Sequence, residues 1–159
     1  MRTAYRVLAY LIALEVVIQA SMIAFAVAGL GIWVDEGGVF DSAAIESLEE
    51  GDLSFTGAVG MMIHGMNGMM IIPALALIFF IFSFFAKVPG GVKWAAFVLL
   101  AVVIQVGLGI FGHENAFFGL LHGVNALILL GLAMTAGARV GRARSVASTH
   151  AASSEPELV

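Results

Sequence analysis

The chain has 159 residues, 61% hydrophobic and 11% charged, with a mean hydropathy of +1.05 and a net charge of -4. That balance belongs to membrane proteins rather than to soluble domains. There is no cysteine, which excludes disulfides, thiolate metal sites and Cys-x-x-Cys-His attachment motifs.

Four apolar segments are long enough to span a bilayer, for which about 20 helical residues suffice. They run over about 5–34, 57–86, 93–112 and 116–138. The first is too long for a signal-peptide core and is followed by no small-residue cleavage site, so it is expected to be a retained helix.

Charge placement sets the expected topology. The basic residues Arg2, Arg6, Lys87, Lys93, Arg139, Arg142 and Arg144 fall at the N-terminus, the second connection and the C-terminal segment. The first connection holds Asp35, Glu36, Asp41, Glu46, Glu49, Glu50 and Asp52 with no basic residue. By the positive-inside rule both termini are cytoplasmic and the first and third connections lie outside, at the cell membrane.

The acidic outer loop, 35–56, is long for a helix–helix connection. Asp41-Ser42 can cap a short helix that runs through Ile45 and Leu48 and stops at Gly51. Its apolar side suits a lid over the outer mouth of the bundle, and a plain solvated loop suits the charge equally. Pro73 interrupts the second span and is expected to bend it. The Val88-Pro89-Gly90-Gly91 and Gly112-His113-Glu114-Asn115 connections are tight, which makes consecutive helices antiparallel neighbours. Residues 139–159 begin a tail whose Ser-, Ala- and Glu-rich sequence has too little apolar surface to fold alone; a disordered cytoplasmic tail is expected, with His150 solvated in it. The expected fold is therefore an all-α membrane protein, a four-transmembrane-helix antiparallel up-down bundle over 1–138.

The most specific pattern is a local repeat. His64-Gly-Met-Asn67 recurs as His122-Gly-Val-Asn125, each inside an apolar run with no charged neighbour. An ionisable ring inside a membrane is costly and marks a functional candidate. Two further pairs, Val16-Val17-Ile18-Gln19 with Val102-Val103-Ile104-Gln105 and Gly29-Leu30-Gly31-Ile32 with Gly107-Leu108-Gly109-Ile110, suggest that helices one and two copy helices three and four. These two alignments have different registers and exclude each other.

Counted from the outer ends of their spans, His64 and His122 lie at similar depth, about 10 Å and about 9 Å in. Helices two and four are diagonal partners in a sequential bundle, so both rings can face its axis and hold one heme b non-covalently as the two axial ligands. Gly60 and Gly68 beside His64, and Gly119 beside His122, form small-residue faces that admit a flat macrocycle. Asn67 and Asn125, one turn deeper, suit a ring edge, each other or a buried water, and Gln105 suits the second nitrogen of one imidazole. Two other readings stand beside this one. Glycine spacing and buried histidine or asparagine also serve plain helix packing. Met61, Met62, Met66, Met69 and Met70 around His64 would suit copper(I), although methionine more often fills gaps. Glu15, which shares a face with Gln19, suits proton uptake or snorkelling to the inner interface. His113, beside Glu114 at the outer surface, suits a heme propionate or simple exposure.

This placement of histidines on the second and fourth helices of a four-helix module resembles the heme A synthase family, which carries two such modules in tandem. The resemblance spans about 5–138 and matches His64 and His122 to heme-ligating positions. That family's Glu-x-x-x-His pattern has no counterpart, since Gly60 and Phe118 stand four residues before His64 and His122. The resemblance therefore implies heme binding by a single module, as in a stand-alone b-type cytochrome, rather than heme A synthesis. With no nucleophile–base pair and no nucleotide motif, the sequence points to electron transfer more than to a complete enzyme and to no nucleic-acid partner. Expected partners are membrane lipid, a quinol and a respiratory or other redox protein, and homo-oligomerisation is left open. A heme-handling enzyme or carrier and a structural membrane subunit are the alternatives.

Overall fold

The computed structural model describes the backbone of residues 1–153 and the side chains to Val140 apart from that of Glu49. All regular structure among them is helical: α1 (Arg2–Asp35), α2 (Ser42–Glu50), α3 (Ala58–Met66), a π-helical turn (Asn67–Ile71), α4 (Ile72–Ser83), α5 (Gly91–Phe111) and α6 (Ala116–Ser153). Four stretches are long and apolar enough to cross a membrane: Arg2–Asp35, Ala58–Ser83, Gly91–Phe111 and Ala116–Val140. They correspond to the four spans expected from hydropathy. Large apolar side chains such as Phe117, Leu120 and Leu127 are exposed on these helices, as suits surfaces solvated by lipid tails rather than by water.

The second span is α3, the π turn and α4 in sequence, and the turn sits directly before Pro73. Proline has no N–H, and its ring collides with the carbonyl four residues back, here that of Met69. A π turn widens the backbone at that point and lets the helix continue to Ser83.

The first connection holds the short helix expected at Asp41-Ser42. The Asp41 carboxylate accepts the backbone N–H of Ala44 at 3.0 Å, and Gly51 closes α2 in the left-handed conformation at φ 84°. One feature departs from the sequence-based expectation: the α6 backbone stays helical to Ser153 instead of ending near Ala138. The alanines that recur through 136–152 favour helix over coil. The rest of the expected tail, 154–159, and the side chain of His150 lie outside the described residues.

The chain divides into two compact units, one formed by Met1–Leu14 and the chain from Ile72 onward, the other by Glu15–Ile71. In the first, α4 packs on α5 and α5 on α6. Its core holds Tyr5, Phe79, Val98, Val102 and Leu129, all fully buried. The Tyr5 hydroxyl donates to the Gly91 carbonyl at 3.0 Å and its ring lies 4.7 Å from that of Phe79. The Arg139 guanidinium lies over the Trp94 ring at 5.1 Å, and Arg2 donates to the Lys87 carbonyl at 3.1 Å. This end of the unit thus has the basic and aromatic character of a membrane interface.

In the second unit, α1 and α3 meet backbone to backbone. A Cβ placed on Gly60 would stand 2.5 Å from the Met22 carbonyl oxygen, and one on Gly57 2.7 Å from that of Phe25. Glycine is needed at both positions for this approach, which is the small-residue packing used by membrane helices.

Candidate functional site

Each histidine is held in the same manner within its own unit. In the 15–71 unit, His64 Nδ1 lies 3.1 Å from the backbone carbonyl oxygen of Gln19 on α1. In the other unit, His122 Nδ1 lies 3.0 Å from the backbone carbonyl oxygen of Gln105 on α5. A carbonyl only accepts, so Nδ1 carries the proton in both rings and Nε2 is the lone-pair nitrogen of the neutral imidazole. This is the tautomer a metal-ligating histidine takes when a backbone carbonyl orients it from behind.

The two glutamines settle which register of the internal repeat has structural meaning. Gln19 and Gln105 are equivalent because each presents its carbonyl to the histidine of a neighbouring helix. The Gly-Leu-Gly-Ile register brings no such equivalence. Gln105 was expected to meet one nitrogen of an imidazole, and it meets His122 Nδ1 through its main-chain carbonyl. The Gln105 side chain instead accepts the Asn125 Nδ2–H at 2.6 Å, and Asn125 also donates to the Ala101 carbonyl at 2.9 Å. Asn125 is buried, with 9% of its surface exposed, so these bonds satisfy a group that would otherwise be costly inside a membrane.

Asn67 departs from its counterpart. Its Nδ2–H donates to the Glu15 carboxylate at 2.7 Å. In the Gln19–Gln105 register Glu15 falls where α5 has Ala101; Asn125 donates to the main-chain carbonyl of Ala101, whereas Asn67 donates to the side-chain carboxylate of Glu15. Glu15 is therefore tied to the histidine-bearing helix rather than snorkelling to the interface.

The expected glycines divide by environment. Gly60 is accounted for by the close approach of α1. A Cβ on Gly68 would come within 3.2 Å of the Gln19 Nε2, so Gly68 makes room for that amide. Gly119 and its neighbour Gly123 have nothing within 4 Å of a built Cβ and leave open ground beside His122. Sequence reasoning missed Gly109, where a Cβ would stand 3.2 Å from the His122 ring at Cε1. Its signal was present as the second glycine of Gly107-Leu-Gly109.

Met62, Met66, Met69 and Met70 are all more than half exposed, and among the described residues no group of three His, Cys, Asp or Glu side chains could hold a metal ion. His113 is exposed on the connection before α6. No protein family, curated protein or solved structure matches this chain.

Proposed function

We propose that this protein is an integral membrane b-type cytochrome that binds one heme b between His64 and His122. The supporting observation is the repeated Nδ1–H to carbonyl hydrogen bond, made by His64 to Gln19 and by His122 to Gln105. One such bond is ordinary interhelical packing. Its occurrence in both halves of the repeat, with the same tautomer, is the orientation that a pair of heme-ligating imidazoles would take. Open space at Gly119 and Gly123 is compatible with a flat ligand beside His122.

Heme held by two imidazoles would supply a one-electron couple suited to electron transfer rather than oxygen binding. The protein residues have separate roles. His64 and His122 would provide the ligating nitrogens, while the carbonyls of Gln19 and Gln105 fix ring orientation and tautomer. Asn125 holds the Gln105 side chain in place.

In this reading the four spans form an antiparallel up-down bundle in the cell membrane with both termini cytoplasmic, because the basic residues flank alternate ends of the spans. The histidines then lie toward the extracytoplasmic side, where a quinol in the outer leaflet or an extracytoplasmic redox protein would exchange electrons. The test is an absorption spectrum of the detergent-purified protein, oxidised and then dithionite-reduced. A sharp Soret band with resolved α and β bands is expected, lost in both His64→Ala and His122→Ala. A colourless protein that remains colourless after added hemin would overturn the proposal and leave the histidines as packing groups.

A further inference from the structure

The Gln19 side chain is 9% exposed, yet neither its Oε1 nor its Nε2 has a hydrogen-bond partner. A buried amide with both ends unmet is costly and calls for a specific explanation. In the other half of the repeat the equivalent Gln105 accepts from Asn125, but here Asn67 is engaged by Glu15 and does not reach Gln19. The substitution of a carboxylate for the methyl of Ala101 thus frees an amide and adds an acceptor one turn away on the same face of α1.

The backbone opposite is also unusual. The π turn Asn67–Ile71 begins at Asn67 itself, and π turns inside α-helices often accompany functional sites. Gly68, in that turn, presents no side chain to the Gln19 amide. Met66 and Met70, at 60% and 65% exposure, border this stretch with flexible thioethers able to repack around an apolar guest.

We infer that Glu15, Gln19 and Asn67 form a seat for the oxygenated ring of a quinol or quinone dissolved in the membrane. Such a ring carries oxygens that accept from the Gln19 Nε2–H, and in its quinol form hydroxyls that donate to Gln19 Oε1 and to the Glu15 carboxylate. A bare cation would use the oxygens alone and leave the Nε2–H unmet. The seat lies within the 15–71 unit, and Gln19 is also the residue whose carbonyl orients His64. The inference deepens the heme reading and rests on it for its redox meaning; binding at the seat does not depend on heme.

The experiment titrates the full-length protein in detergent micelles with a decyl-tailed benzoquinol, kept reduced under argon, followed by isothermal titration calorimetry. Saturable binding is expected, weakened about tenfold, the equivalent of one lost hydrogen bond to a charged or buried group, in both Gln19→Met and Glu15→Gln. Glu15→Gln keeps an acceptor for Asn67, so it reports on the seat even if Gln19→Met fails to fold. Gly131→Ala, at a position with nothing within 4 Å of a built Cβ, is expected to bind like the native chain. Absence of saturable binding, or native affinity in a folded Gln19→Met or Glu15→Gln, would overturn the inference. The Soret band of the same samples separates the two readings. A coloured protein that binds no quinol sinks the seat alone, and a colourless one that binds it sinks the heme alone.

Discussion

Asn125 donates to the Gln105 side chain at 2.6 Å while the backbone carbonyl of the same Gln105 takes the proton of His122 Nδ1 at 3.0 Å. One residue of α5 therefore fixes two residues of α6, one through its side chain and one through its main chain. Replacing Asn125 by Leu removes two hydrogen bonds and leaves the Gln105 amide without its donor. The expected cost is about 1–2 kcal/mol, at the upper end for a membrane protein because the orphaned group is buried. Reversible unfolding in mixed micelles titrated with sodium dodecyl sulfate would measure it. No change in midpoint would show that these bonds are replaced by others when Asn125 is lost.

The glycines of the two units make a paired prediction. At Gly60 a Cβ would stand 2.5 Å from a backbone oxygen of α1, and backbone cannot rotate away as a side chain can. Gly60→Ala is expected to destabilise the protein by about 1–3 kcal/mol, the usual cost of overpacking. At Gly131 a Cβ meets nothing, so Gly131→Ala is expected to be neutral or to stabilise by up to about 1 kcal/mol through helix propensity. The same unfolding titration distinguishes them. Equal effects at the two positions would contradict the close approach of α1 and α3.

The short helix of the first connection rests on its cap. Asp41 accepts the Ala44 N–H and Gly51 terminates the helix, while most other side chains of α2 are exposed. Asp41→Ala should cost this segment about 1 kcal/mol. The expected readout is faster amide hydrogen exchange across 42–50 with unchanged protection in α5.

The spans were legible because twenty-residue apolar runs have no soluble alternative, and the α2 cap was legible because Asp41 and Gly51 carry their conformational preferences locally. The histidine motif was also legible, since few other ionisable groups lie within the spans. What escaped the sequence was which atoms the histidines would meet. Gln105 and Gln19 act through main-chain carbonyls, which every residue possesses, so composition gives no signal for them. Only their equivalent places in the repeat hinted at a shared role, and a competing glycine register obscured it. The partner of Glu15 escaped for a related reason. The distance of Glu15 along α1 suggested the interface, but its partner lies on another helix and is brought near by the Gly57 and Gly60 contacts. The π turn escaped because Pro73 signals a disturbance without specifying its form.

Gly109 gives the sharpest test of the His122 side. A Cβ there would stand 3.2 Å from Cε1 and 3.3 Å from Nδ1 of the imidazole, tighter than ordinary contact. The ring cannot simply withdraw, because its Nδ1–H is committed to the Gln105 carbonyl four residues earlier on the same helix. Gly109→Ala must therefore lengthen that bond or tilt the ring, and Gly109→Val must do so further. Gly107, two residues back, has nothing within 4 Å of a built Cβ and serves as the control. If His122 is an axial ligand, disturbing the group that orients it should weaken heme binding about 10- to 100-fold, as loss of an orienting partner does at other metal sites. Hemin titrations of Gly107→Ala, Gly109→Ala and Gly109→Val, followed at the Soret band, should give native affinity for the first and a graded loss for the other two. A shift of the Gly109 variants toward a high-spin spectrum would show that the His122 ligand itself has been loosened. Identical titrations for all three would mean that the ring has no ligand whose position matters.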